Sequence, residues 1–362
     1  MRILAIEDSV TTLRGGSERS YFDVLTGLQA AGHQVYLIYA HEGNLLEAYK
    51  AAGVKTLHRP ISLLMRNGSK IKDLSAMLRA AMSVRRIPRP DVIYVNFTEA
   101  LPLAALIHLR FGMPIVCHIR IDFWGLSRQI LWCGKLVRRF IVVNKKLKPT
   151  FEKVFHASGK VTVVYNGITI PATLSTPKPR AANTPIRILF LGRIAPMKGV
   201  VGLVKVFSEV IKRGVKATLQ ITGGYVMSYH GDYRSELAQA IQDSGVSNLV
   251  TISEPVPDPI EYISKFDLLA FPSIEAESFG RTIPEAILAG TPVLARNLGM
   301  VDELMADNPQ FMFDSDEQLT EKIVRFWKGD LVFDFVNSRK RMATDFNKSR
   351  MVAEVEKILT AR

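Results

Sequence analysis

Short apolar runs recur along the chain, and each is followed by a stretch whose apolar residues return every three or four positions. RILAIE at residues 2–7 and QVYLIYA at 34–40 flank a helical pattern over 17–31 that Gly32 stops. RILFLGR at 187–193 and ATLQITGG at 217–224 flank a second one over 200–213, ended by Gly214. Further strands are predicted at 92–96, 115–118, 140–143, 161–165, 249–253, 268–272 and 292–295. Strands without polar alternation are buried on both faces, as in a parallel sheet. Strand and helix alternate throughout, so the pattern predicts an α/β protein with two Rossmann-like, doubly wound units.

The join between the units is legible. PATLSTPKPRAANTP, residues 171–185, holds four prolines and no apolar periodicity, and reads as an extended linker. The expected domains are residues 1–172 and 186–340, with 173–185 between them and a helical final segment at 341–362. Ligands of open α/β sheets bind beyond the carboxyl ends of the strands, so a cleft between two such sheets is the expected site. The longest apolar stretch, residues 92–117, is broken by Glu99, His108 and Arg110, which argues against a spanning helix. The start, MRILAIED, meets an acid at Glu7 too early for a signal peptide. Cys117 and Cys133 make neither a disulfide framework nor a zinc site, and fit a reducing cytoplasm.

Composition adds little until charge is counted. The 362 residues are 48% hydrophobic and 22% charged, which excludes disordered and low-complexity classes. The net charge of +13 is unevenly spread. Residues 1–184 carry 26 basic and 11 acidic side chains, whereas residues 185–362 carry 21 and 23. Such asymmetry points to an anionic partner for the first half: nucleic acid, a membrane surface or a phosphorylated substrate. A basic surface that serves only solubility is the alternative.

The densest chemistry lies in FPSIEAESFGRTIPEAILAGTPVLA, residues 271–295. Glu277 is expected in the loop at the sheet edge, and Glu285 in the second turn of the helix that follows Gly280. A carboxylate accepts hydrogen bonds with fixed geometry, as sugar hydroxyls require, and a helix N-terminus between two of them suits a phosphate. The same spacing also fits two exposed acids at a helix end. Asp314-Ser315-Asp316 spells a D-x-D, but a residue that caps the following helix explains it without a metal.

ESFGRTIPEA followed by AGTPVLA resembles the E-x7-E signature of retaining GT-B glycosyltransferases, in particular family four. LGRIAPMKG at 191–199 resembles that family's G-R-x-x-x-x-K-G loop, and NLGMVDEL at 297–304 the stretch after the next strand. RGGSERS at 14–20, AGHQVYLI at 31–38 and VVYNGI at 163–168 carry the likeness into the first half. The resemblance implies a GT-B fold whose last helix crosses back to the first domain, and a metal-independent transfer from a nucleotide-sugar, with UDP or GDP as nucleotide and no cofactor. Arg193 and Lys198 would clamp the diphosphate. Glu277, Ser278, Phe279, Gly280, Arg281 and Glu285 would hold the donor, together with Gly15 and Gly16 of the first domain. His118 would lie near the donor sugar, and Arg120, two residues on, could bind an acceptor phosphate. A histidine followed by Ile-Arg departs from the commoner His-Gly or His-Asp pattern of the family.

The first domain, which binds the acceptor in this family, is the basic one. Residues 66–89 carry Arg66, Lys70, Lys72, Arg79, Arg85, Arg86 and Arg89 against Asp73 alone. Residues 123–140 combine Phe123, Trp124, Trp132 and Phe140 with Arg128, Lys135, Arg138 and Arg139, as an amphipathic helix with a basic face. These features favour a lipid-linked or surface-glycan acceptor met at an anionic membrane surface, on the cytoplasmic side. A soluble anionic acceptor, a catalytically inert sugar-nucleotide module, and a phosphorylase or epimerase of the same fold are the alternatives. No RNA-binding aromatic motif or DNA-reading helix is recognisable, so nucleic acid is not an expected partner.

Overall fold

The computed structural model describes residues 1–12, 16–60, 70–120, 126–177, 180–225 and 232–361, with the side chains of 70–74 left aside. The chain divides into two compact units, Met1–Gly167 with Asn347–Arg362, and Ile168–Phe346.

In the first unit, seven strands form one parallel sheet: β1 (Arg2–Ser9), β2 (Gln34–His41), β3 (Lys55–His58), β4 (Val92–Val95), β5 (Ile115–Ile119), β6 (Val137–Val142) and β7 (Val161–Val163). Their order is β3-β2-β1-β4-β5-β6-β7, so the chain reverses its direction of travel between β1 and β4. Residues alternate across the sheet. Ile3 and Ala5 face one core with Tyr21, Leu25, Met351 and Val355. Leu4 and Ile6 face another with Met77, Leu103, Ile107 and Phe151. The first core is closed by the helices Gly16–Ala30 and Lys348–Thr360, which pack on each other, so the last helix returns to the first unit.

The second unit repeats the plan with six parallel strands: β8 (Ile186–Leu191), β9 (Ala217–Thr222), β10 (Val250–Ser253), β11 (Leu268–Phe271), β12 (Val293–Arg296) and β13 (Met312–Phe313). Their order is β10-β9-β8-β11-β12-β13, and the reversal falls between β8 and β11.

Three expectations are amended by packing. The stretch 171–185 belongs to the second unit, where Asn183 N–H donates to Trp327 O at 2.9 Å and the Arg180 guanidinium bonds the carbonyls of Phe326 and Trp327. The final segment is two helices rather than one: Phe335–Asp345 stays with the second unit, and Lys348–Thr360 with the first. The amphipathic helix over 123–140 shortens to Arg128–Gly134, because Val137–Val142, which leads into the β-branched Ile141-Val142-Val143, pairs with β5 and β7 as β6. Phe123 and Trp124 lie outside the described residues.

Candidate active site

The reversal between β8 and β11 sets the main constellation. β8 ends at Leu191, and the chain then passes Gly192 and the half-buried Arg193 into a tight turn, Pro196–Lys198. Gly199 follows at φ 68° and opens the helix Val200–Lys212. A Cβ on Gly199 would stand 2.3 Å from the carbonyl oxygen of Pro272, just beyond β11. Only glycine allows that approach. The two loops are also tied by Ile274 N–H donating to Met197 O at 2.9 Å.

This contact places Lys198 Nζ 2.6 Å from Glu277 Oε1. The same carboxylate oxygen accepts from the Ser273 hydroxyl, and the ammonium lies 5.9 Å from the centre of the Phe271 ring. Glu277 is itself gripped from behind. Gly299, at φ 61°, leaves its missing Cβ 2.3 Å from Glu277 O, and Met300 N–H donates to that oxygen at 3.3 Å. Arg193 has no carboxylate partner among the described residues, so its charge is uncompensated by a neighbouring acid. Two cations thus follow the end of β8: Lys198, paired with Glu277, and Arg193, without a carboxylate partner among the described residues.

The second carboxylate is less open. The helix after β11 spans Thr282–Ala289, so Glu285 closes its first turn rather than its second. Its side chain is buried and Oε1 sits 3.1 Å from Arg281 Nε. Gly280 adopts φ 70° before the helix, Ser278 is half-buried, and the buried Phe279 ring lies 6.1 Å from that of Phe346. The backbone of 278–280, rather than the Phe279 side chain, is therefore what the loop can offer a ligand. Ser315 caps the helix Asp316–Lys328, accepting from Gln318 N–H, and Asp316 pairs with Arg296. Among the described residues no group of three His, Cys, Asp or Glu side chains is placed to hold a metal ion.

The first unit holds a polar network at the carboxyl ends of β1, β4 and β5. His118, Arg120 and Glu7 are all buried. Arg120 was expected to reach an acceptor phosphate, but β5 ends at Ile119 and the guanidinium turns inward. Its Nε donates to Asn96 Oδ1 at 2.8 Å, one terminal nitrogen to Asn166 Oδ1, and the other to His118 Nδ1 at 3.1 Å. A guanidinium can only donate, so His118 Nδ1 accepts and the ring proton sits on Nε2. The Tyr94 hydroxyl, 2.7 Å from the same Nδ1, then donates as well. Nε2 is buried without a partner among the described residues. Burial, and then the Arg120 charge, hold the imidazole well below the usual histidine range, so it is neutral. His118 is thus presented as a hydrogen-bond donor rather than a base. Gly16 begins the helix Gly16–Ala30; Arg14 and Gly15 lie outside the described residues.

Glu7 accepts from Asp8 N–H at 3.0 Å and from Asn96 Nδ2 at 2.9 Å. Burial, reinforced by the nearby Glu18 charge, pushes its carboxyl up to about 8. Glu7, Tyr94, Asn96 and Asn166 were missed in the sequence, where each is an ordinary residue at a strand end. Ser273 and Gly299 were missed for the same reason.

Two family descriptions match almost end to end. Residues 14–170 match Glycosyltransferase Family 4, and residues 173–346 match Glycosyl transferases group 1. The chain is a family-four, group 1 glycosyltransferase. A protein in the cps region of Klebsiella pneumoniae, described as uncharacterized, is 27% identical over 85% of this chain and 88% of its own length. The Anabaena protein HepE, solved with UDP and glucose, superposes with a TM-score of 0.82 at 19% identity, over 99% of each chain. The lipopolysaccharide outer core galactosyltransferase WaaB superposes at 0.74 with 13% identity, over 99% of each. At these identities the structural likenesses establish the GT-B fold and nothing finer.

Two outcomes are expected for this glycosyltransferase. Gly299→Ala forces an L-residue into the left-handed region, at about 1–2 kcal/mol, and pushes on the Glu277 backbone. It should lower kcat/KM at least about tenfold, since small misplacements of a positioned group are costly in rate. Unchanged kinetics would show that this contact does not place Glu277. Glu7 gives a stability that depends on pH. Its folded pKa is raised, so its stabilising share is complete below the ordinary carboxylate pKa and is lost as pH climbs towards about 8. Thermal midpoints measured from pH 5 to pH 9 should fall across that window, and Glu7→Gln should flatten the fall; equal slopes would mean that Glu7 is ionised in the fold.

Proposed function

We propose that this glycosyltransferase moves a sugar, with retention of anomeric configuration, from a UDP- or GDP-sugar to a hydroxyl of a lipid-linked or surface-glycan precursor at the cytoplasmic face of the membrane. The observation that carries the donor half of the reading is the Lys198–Glu277 pair at the ends of β8 and β11, with Arg193 in the same loop after β8 and without a carboxylate partner among the described residues. The binding of UDP and glucose by HepE supports a uridine nucleotide as the first to test. WaaB, which acts on the lipopolysaccharide outer core, supports a membrane glycan as acceptor.

Arg193 and Lys198 hold the donor diphosphate. As the bond between the anomeric carbon and the β-phosphate oxygen breaks, both electrons leave with that oxygen, and the two cations stabilise the growing charge. Lys198 is already oriented by Glu277, so little reorganisation is needed when the phosphate arrives. The Glu277 oxygens accept from hydroxyls of the transferred sugar, and Glu285, held by Arg281, accepts from the ribose. His118 donates through Nε2–H to a sugar oxygen. The acceptor hydroxyl attacks on the face from which the diphosphate leaves, and its proton passes to the departing phosphate oxygen. No side chain needs to form a covalent intermediate.

Arg193→Ala and Lys198→Ala should each lower kcat by about 10²–10³ at saturating donor, as the loss of one oxyanion-type contact does elsewhere. Transfer from a panel of UDP- and GDP-sugars checks this, with the product anomer read by NMR. Full turnover in both variants would remove the clamp, and an inverted product would remove retention.

A further inference from the structure

Three helices of the first unit lie side by side over one face of its sheet. Lys70–Ser83 packs on Leu101–Phe111, and that helix packs on Arg128–Gly134. Their inner sides share one core. Their outer sides are unusual for a solvated surface. Leu78 is 47% exposed, Met82 37%, Leu109 61% and Trp132 54%. These are four of the eight large apolar side chains exposed among the described residues. The helix Leu101–Phe111 carries no charged residue except Arg110, so it offers water almost nothing to solvate.

Among the described side chains of these helices the charge has one sign. Arg79, Arg85, Arg86, Arg110, Arg128 and Lys135 are exposed between the apolar side chains. Residues 75–90, 101–111 and 126–140 contain no aspartate or glutamate. None of these six cations has an acidic partner among the described residues. Beside them a cavity of about 210 Å³ is lined by Val84, Ile87, Phe111 and Met113 together with Arg85 and Arg89, the latter donating to Phe111 O at 3.1 Å.

We propose that this three-helix face is the surface by which the enzyme docks on an anionic lipid bilayer. Leucine, methionine and tryptophan side chains enter the boundary between headgroups and acyl chains, while the arginines reach lipid phosphates at the same depth. The cavity gives one headgroup a seat lined by apolar side chains and two arginines. A protein partner would need a large acidic and apolar face of matching shape; a bilayer supplies both properties everywhere. The inference deepens the membrane-acceptor reading by naming the surface, yet it stands on exposure and charge and is tested without the acceptor.

The test is co-sedimentation of the full chain with phosphatidylglycerol-containing vesicles and with pure phosphatidylcholine vesicles. Binding to the anionic vesicles alone, weakening as salt rises, is expected. The double variant Leu109→Ser/Trp132→Ser and the triple variant Arg79→Ser/Arg86→Ser/Arg110→Ser should each bind at least tenfold more weakly. Val332→Ser/Val336→Ser, which removes exposed apolar side chains of the second unit, should bind as the wild type does. Brominated lipid should quench tryptophan fluorescence in the wild type and much less in Trp132→Phe. Hydrolysis of the donor in water should be unchanged in all variants, which separates loss of docking from loss of the donor site. Equal binding to both vesicle types, or full binding by both face variants, would overturn the proposal. So would retention on DNA without retention on vesicles, or loss of vesicle binding to inorganic phosphate at unchanged ionic strength.

Discussion

Lys198 and Glu277 hold each other where β8 and β11 end, at the reversal of strand order in the second sheet. Both side chains are mostly withdrawn from water, so neither charge is well solvated alone. Removing one partner leaves the other exposed to the full desolvation penalty, which is why such a pair is costly to break. The geometry around it follows from that constraint. Gly199 lets the lysine turn approach the end of β11, and Gly299 lets the following strand's loop press on the Glu277 backbone. The ion pair is thus assembled from three separate loops before any ligand is present. In the proposed reaction an incoming diphosphate would compete with Glu277 for an ammonium that is already in position, and Arg193 would add a charge that no acid has to release.

The first unit solves a different problem, that of a buried cation without a facing carboxylate pair. Arg120 is surrounded by amide carbonyls, a thioether and an imidazole. Its hydrogen bonds are all made, so the penalty of burial is offset by dipoles rather than by a salt bridge. Glu7 joins the same chain through Asn96, but burial favours its neutral form. The outcome is a rigid set of donors and acceptors that leaves one group, His118 Nε2–H, unspent. In the proposed reaction a histidine held neutral and oriented in this way would position a substrate oxygen without accepting its proton.

Much of this was legible in the sequence. Apolar runs ended by glycine marked the strands of both sheets, because strands buried on both faces cannot carry polar alternation. The loops around Lys198 and Glu277 were legible because each is a contiguous string with its own turn chemistry. Arg120 was not. As a residue two positions beyond His118 it reads as a cation on the same side of a continuing strand. Its partners, Asn96 and Asn166, stand 24 and 46 residues away, and only the folded sheet brings them to it. The helix over 123–140 failed for a related reason. The helical periodicity of Val137 and Phe140 runs on into the β-branched Ile141, Val142 and Val143, and pairing of Val137–Val142 with β5 and β7 makes this segment a strand.

The uneven charge along the chain has its physical explanation in how each unit spends its cations. In the second unit several of them meet acids: Arg187 with Asp267, Arg213 with Glu321, Arg296 with Asp316, and Arg341 with Asp307. That unit keeps Arg193 free of acids at the one place where a diphosphate would need it. In the first unit the cations of the three-helix face stand beside exposed leucine, methionine and tryptophan, and residues 75–90, 101–111 and 126–140 hold no acid. Self-repulsion of such a face destabilises the folded chain slightly, and exposed apolar area invites aggregation. Both costs vanish when a surface of opposite charge and apolar depth covers the face.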